Sequence, residues 1–494
     1  MTATSPFIWT DATVRRALGL DLEGGEPTTA GAGARHYTGV STDTRRSAPG
    51  NLFVALRGPR FDGHRFMAQA AASGATGAVV DGGTPDLDTE SLPAGFTLYR
   101  VPDTLVALGQ LGRFRRRAFP GPVVGLTGSS GKTTVKEMLR AALSARFRVH
   151  ATPANENNRV GVPLTLLAVP GDAEVMVVEM GTNEPGEIAL LTRITEPDVG
   201  IVITVSESHL EGLGSLEGVL AEKLSLVDGL APEARSFVGD SPPELPRAAR
   251  RIREDVDVVG FTADADSHCR ARGAGMDAEG RMTFHFGDLA VRPAYPGRHG
   301  ATNALMALAV ARELGVPVQE AAAEVEGVRP GGLRGEVLRV GTMELILDCY
   351  NANPQSVRAA LDTLGARRRP GRKIAVLGSM LELGGASAAL HREVLTYALG
   401  AGVDRVVAVG AFAEAARELA GSGRDVSGLL VVPDPAQVPV RLFPLLDGNE
   451  LVLLKGSRGV RMESLVPHFE EAFGTHVPEA GGPTNGASGT GGVA

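Results

Sequence analysis

The sequence predicts an α/β protein with largely parallel sheets, divided into three domains. Short apolar runs alternate with helical patterns through most of the chain, as strands joined by crossover helices do. The 494 residues exceed the ~100–200 of one domain. With 43% hydrophobic and 21% charged residues, the chain can bury large cores and remain globular.

The first block, residues 1–103, carries small strands over 52–56 and 77–80 and a helix over 66–73, and predicts a small α/β domain. The central block, 104–328, opens on a helix over 104–118 and a strand over 123–126. It runs to an amphipathic segment over 301–314 and a helix over 319–325. Arg-Pro-Gly-Gly at 329–332 reads as a hinge. The third block, 329–475, repeats the alternation: strand 345–348, helix 354–364, then strands 374–377, 406–409 and 451–454. The stretch 476–494, rich in Gly, Thr and Ala, reads as a disordered tail. No internal repeat of fixed period is present.

Composition excludes several classes. A net charge of −8 argues against a general nucleic-acid binder, which needs basic surface for phosphates. It leaves room for a small anionic nucleotide, which a few local cations can hold. Cys269 and Cys349 lie far apart, so neither a disulfide framework nor a zinc pattern follows, and a reducing compartment fits. The N-terminus lacks a basic region followed by an apolar core, so no signal peptide is read. The longest apolar runs, such as 123–126 and 175–178, fall far short of the ~20 residues that span a bilayer. A cytoplasmic location without membrane insertion is expected.

The chemistry begins at 123–134, Val-Val-Gly-Leu-Thr-Gly-Ser-Ser-Gly-Lys-Thr-Thr. An apolar strand enters a tight Gly/Ser loop, Gly128, Ser129, Ser130 and Gly131, and a helix starts. Glycines let backbone N–H groups approach phosphate oxygens, and the helix dipole favours the anion. Lys132 can pair with the β- and γ-phosphates, and the Thr133 hydroxyl can ligate Mg²⁺. The generic phosphate-loop motif wants a glycine five residues before Gly131, where Leu126 stands instead. Glu179 ends a second apolar strand, which places it at the carboxyl edge of the sheet, where ligands bind in open α/β sheets. A carboxylate there can hold Mg²⁺. Read alone, Lys223 on its helical segment is a surface lysine, His209 an ordinary histidine, and the asparagines at 155–158 a turn.

Seven ordered motifs resemble the Mur ligase family. The loop at 127–134 looks like that family's phosphate loop, which commonly lacks the outer glycine. Asn-Glu-Asn-Asn-Arg-Val-Gly-Val-Pro at 155–163 and Val-Glu-Met-Gly at 178–181 follow. Next come Ser-His-Leu-Glu at 208–211 with Lys223 downstream, and Pro-Gly-Arg-His-Gly-Ala-Thr-Asn at 296–303. Asp-Cys-Tyr-Asn-Ala-Asn-Pro at 348–354 and Lys-Gly-Ser-Arg at 455–458 complete the set. The resemblance implies a central mononucleotide-binding parallel sheet with a phosphate loop, a Rossmann-like C-terminal domain, and an N-terminal domain for a uridine nucleotide.

The resemblance also implies an ATP-dependent, ADP-forming amide ligase working through an acyl phosphate, with ATP and two Mg²⁺. Thr133, Glu179, His209 and Lys223 would surround the metals, with Lys223 carbamylated, so that a cation becomes an anionic oxygen ligand. Thr134 and Asn303 would join the phosphate loop around ATP, with Asp348 at its ribose. Arg334 would reach the phosphates as the third domain closes over ATP and excludes water. Ser41, Thr42 and Arg45 would meet uracil or diphosphate, and Asn155, Asn157 and Asn158 the muramoyl part. Asn351, Asn353, Lys455 and Arg458 would bind the incoming amine.

The spelling at 348–354 favours the member that adds D-alanyl-D-alanine to a UDP-N-acetylmuramoyl-tripeptide. The tripeptide-forming members, which add diaminopimelate or lysine, usually show Asp-Tyr-Ala-His-x-Pro there. They remain the alternatives, with folylpolyglutamate synthetase; a phosphate-loop kinase and a non-catalytic binding module stand further off. A monomer is expected.

Overall fold

The protein is described from a computed structural model, which covers residues 7–20, 36–59, 61–83, 88–423 and 426–475. The expected tail at 476–494 lies outside the described residues. Two compact units emerge: the chain to Gly275 with 282–294 and 299–328, and a second from Arg329 onward that also takes 276–281 and 295–298.

The first unit holds two parallel sheets. The smaller orders its strands Val40–Ser41, Leu52–Val54, Gly77–Asp81, Thr97–Val101. Strand periodicity sends successive side chains to opposite faces. Leu52, Val54 and Val79 accordingly pack with Trp9, Val14 and Tyr99, while Phe53, Ala78 and Val80 pack with Met67 and Ala70. Helix Thr104–Arg117 starts where the Asp103 carboxylate accepts from the N–H groups of Leu105 and Val106. It lays Ala107, Leu108 and Leu111 on the first of those cores.

The larger sheet has six parallel strands: Val149–Ala151, Val175–Glu179, Val123–Thr127, Val199–Val202, Arg235–Gly239 and Val256–Val259, in that spatial order. Its three central strands are buried at every position, which is why they read as unbroken apolar runs rather than alternating ones. The strand Val123–Thr127 lies between Val175–Glu179 and Val199–Val202, with Glu179 opposite Leu126. The carboxyl ends of all three strands therefore meet at one edge.

A three-stranded sheet, Ala271–Met276, Met282–Phe286 and Leu289–Val291, has no counterpart in the apolar pattern. Its first strand is exposed at five of six positions.

The second unit carries a six-stranded sheet ordered Glu336–Val340, Met343–Asp348, Leu451–Lys455, Lys373–Leu377, Arg405–Val409, Leu429–Val432. The first pair is antiparallel and the rest are parallel. The strand latest in sequence inserts between two earlier ones, so Asp348 and Leu377 flank Lys455 in register.

Candidate active site

The phosphate loop links the buried strand Val123–Thr127 to helix Lys132–Ser144. Gly131 caps that helix at φ +81°, and a β-carbon there would stand 2.7 Å from Asn303 Oδ1. The position needs glycine both for its backbone and for the close approach of Asn303, which is itself buried. Lys132 curls back to donate to the Gly128 carbonyl at 2.8 Å. Thr134 is buried, whereas Ser130 and Thr133 are partly accessible.

Ser129 is the knot of the loop. Its hydroxyl donates to the Ser206 carbonyl (3.1 Å) and accepts from the Ser206 N–H (3.0 Å) and the Ser208 hydroxyl (2.9 Å). The phosphate loop is thereby tied to the segment that ends at His209. His209 sits at φ +53°, in the left-handed region, at the start of the short helix Leu210–Leu213. Such a backbone costs an ordinary residue ~1 kcal/mol or more and persists where the surroundings impose it.

Glu179 is 1% exposed. Its Oε1 accepts from Asn157 Nδ2 at 2.7 Å and from the Thr133 hydroxyl at 3.3 Å. Its Oε2 accepts no hydrogen bond; the nearest cation is Lys136 Nζ at 3.7 Å. Lys223, on helix Leu216–Asp228, is fully buried, and its Nζ also lacks a hydrogen bond. Burial, reinforced by the charge of Lys132, holds the Lys223 amine well below the usual lysine range. Buried polar atoms without partners are rare. The Glu179 carboxylate and the Thr133 hydroxyl that meets it are oxygen donors of the kind a hard cation takes. Elsewhere among the described residues, Asp257, His268 and Cys269 also converge. There Arg235 on Asp257 and Arg312 on the Cys269 sulfur already supply positive charge.

The asparagine segment divides its work. Asn157 holds Glu179, and its Oδ1 would lie 2.7 Å from a β-carbon at Gly181. Asn158 Oδ1 accepts from the N–H groups of Val160 and Gly161, starting helix Gly161–Leu167. Asn155 is exposed. In the small sheet, Ser41 is buried and its hydroxyl donates to the Asp43 carbonyl. Thr42 is partly exposed, and the exposed Arg45 pairs with Asp43 at 2.8 Å.

In the second unit, Lys455 is 2% exposed, sits 2.9 Å from Asp348 Oδ2 and donates to the Asn351 carbonyl. Asn353 is buried and caps helix Pro354–Ala366 in a reciprocal pair with Ser356. Asn351 is exposed, with its Oδ1 accepting from the Ala352 N–H. The Arg334 guanidinium stacks 3.6 Å from the Tyr350 ring centroid, and the exposed Arg458 pairs with Glu463.

Sequence reasoning missed Lys136, Thr152 and Ser206. Thr152 Oγ1 accepts from the Glu179 N–H at 2.9 Å, and Lys136 lies wholly inside. No spacing rule announces either; their roles depend on loops returning from other strands.

A phosphate loop at the carboxyl edge of a parallel sheet, beside a buried carboxylate, defines a nucleotide-dependent phosphoryl-transfer enzyme. Family models narrow the class. The Mur ligase middle domain matches residues 126–311, the Mur ligase glutamate ligase domain 333–458, and the Mur ligase family catalytic domain 36–116. A UDP-N-acetylmuramoyl-tripeptide–D-alanyl-D-alanine ligase of Bacillus subtilis (strain 168) is 33% identical over 440 residues, 88% of this chain and 93% of the relative. The crystal structure of MurF from Acinetobacter baumannii superposes with a TM-score of 0.83 at 30% identity, covering 95% of this chain and all of that one. That of MurF ligase from Thermotoga maritima in complex with ADP gives 0.76 at 28% identity, over 88% and 97%. The chain belongs to the Mur ligase family.

Proposed function

We propose that this chain is an ATP-dependent, ADP-forming ligase that joins D-alanyl-D-alanine to UDP-N-acetylmuramoyl-tripeptide, giving the UDP-muramoyl-pentapeptide of peptidoglycan synthesis. The observation that carries it is the match along 88% of the chain to a ligase of that name. The segment Asp-Cys-Tyr-Asn-Ala-Asn-Pro at 348–354 supports the same amine.

The first step forms a bond between the tripeptide's terminal carboxylate oxygen and the γ-phosphorus of ATP, and ADP leaves. The D-Ala-D-Ala amine then attacks the acyl carbon, the C–N bond forms, phosphate departs and the amine releases its proton. Lys132 and the loop N–H groups offset the phosphate charge. Mg²⁺, held by Thr133, Glu179, His209 and a carbamylated Lys223, would supply further positive charge at the phosphates. Asn303 shapes the loop beside ATP. Arg334 and Asp348 serve the phosphates and ribose. Ser41, Thr42, Arg45, Asn155, Asn157 and Asn158 serve the UDP-linked substrate, and Asn351, Asn353, Lys455 and Arg458 the dipeptide. The enzyme works as a monomer in the cytoplasm and contributes to cell-wall growth, cell shape and division. No helix among the described residues is long and apolar enough to cross a membrane.

The test is phosphate release with UDP-muramoyl-tripeptide and ATP, with and without D-Ala-D-Ala. Release that requires the dipeptide, with pentapeptide as product, supports the reading. Release driven instead by diaminopimelate or lysine on the dipeptide-stage precursor would overturn it.

A further inference from the structure

The chain contains five lysines against 44 arginines. Its surface cations are therefore almost all guanidinium, and each lysine stands out. Lys136 follows Lys132 by one helical turn and is 0% exposed. Its ammonium donates to the carbonyls of Thr152 (2.8 Å) and Ala154 (2.7 Å). It lies 3.7 Å from Glu179 Oε2 and 3.4 Å from Glu137 Oε1. Ala154 sits at φ +43°, a conformation alanine seldom adopts, and the Lys136 bond holds its carbonyl there. On the far side of the carboxylate, Asn157 from the same segment grips Oε1. A compact ammonium suits two carbonyls it donates to and two carboxylates within 4 Å, Glu137 and Glu179, around one point; a planar guanidinium does not.

We propose that Lys136 is a positioning residue for the ligase reaction. It fixes the Glu179 carboxylate and the 152–158 segment to each other, so that the metal-binding carboxylate and the asparagine loop act as one piece. The inference rests on Glu179 being a metal ligand. Removing such an outer partner typically lowers metal affinity or activity ~10–100-fold.

The experiment measures Mn²⁺ binding by electron paramagnetic resonance in the presence of ADP, for the native enzyme, Glu179→Gln, Lys136→Met and Asn157→Ala. Lys136→Met should bind Mn²⁺ at least about tenfold more weakly. Combined with Asn157→Ala, its effect should be less than multiplicative, because both act on one carboxylate. Native affinity in Lys136→Met, with affinity lost in Glu179→Gln, overturns the role of Lys136 alone. Native affinity in Glu179→Gln overturns the metal assignment and the inference with it.

If Lys136→Met does not fold, ¹⁵N-lysine spectra of the native enzyme decide, with each of the other four lysines assigned by its own variant. The Lys136 ammonium resonance should exchange slowly and shift on adding Mg²⁺ with ADP, and the shift should vanish in Glu179→Gln. A resonance unmoved by Mg²⁺, or moved equally in Glu179→Gln, overturns the proposal.

Discussion

The Lys455 ammonium lies 2.9 Å from the Asp348 carboxylate, across the neighbouring ends of two parallel strands. The same ammonium donates to the Asn351 carbonyl. One buried cation thus joins the residue assigned to ribose with the turn assigned to the dipeptide. Lys455→Met should raise the KM for ATP and for D-Ala-D-Ala together, severalfold each, and cost ~1–3 kcal/mol of stability by stripping the partners of their donor. Steady-state kinetics with each substrate varied, plus denaturant unfolding, check this. A rise confined to the dipeptide would separate Lys455 from the Asp348 side of the site.

Glu179→Gln keeps the size of the side chain but exchanges a charged oxygen for an amide, a poorer ligand for a hard cation. Turnover should fall sharply, and half-saturation by Mg²⁺ should move up at least about tenfold. An unchanged Mg²⁺ titration curve would remove Glu179 from the metal shell.

Lys223 is an amine without a hydrogen bond in a fully buried place, and burial holds it well below the usual lysine range. A neutral amine captures CO₂; a protonated one does not. Lys223→Ala should be nearly inactive and partly restored by acetate or formate. With ¹³C-bicarbonate, the native enzyme should give a carbamate carbon resonance that Lys223→Ala lacks. An alanine variant as active as the native enzyme would exclude the role.

Asn353 closes a capping box with Ser356. Asn353→Ala should therefore cost ~0.5–2 kcal/mol of stability, and its KM for D-Ala-D-Ala should rise more than that for ATP. Unfolding curves and paired kinetics separate the two effects. Stability lost with equal changes in both KM values would leave the residue a helix cap and nothing more.

The strands beside the phosphate loop were legible because they are buried on both faces, so an unbroken apolar run such as 175–178 cannot be mistaken for surface. The phosphate loop was legible because its glycines and Lys132 are adjacent in sequence. Only the resemblance points to Asn303, since nothing local in the sequence says that it approaches Gly131. Lys136 and Thr152 were invisible for the same reason: their partners arrive from separate strands. The motif spelling alone presents Asn353 and Lys455 as ligand contacts. The structure adds that each also has a partner inside the protein, which no motif spelling records. The sheet at 271–291 went unread because an exposed strand leaves no apolar signature.

The scarcity of lysine makes the protein unusually blind to amine chemistry. Lys136, Lys223 and Lys455 are buried, so an acylating ester offered to the folded chain meets only two partly accessible side-chain amines, Lys132 and Lys373. Lys373 donates to the Gly365 carbonyl in the second unit, whereas Lys132 stands in the phosphate loop. Brief acylation followed by peptide mapping would therefore report directly on occupancy of that loop, with ATP as the protecting group and Lys373 as the internal reference.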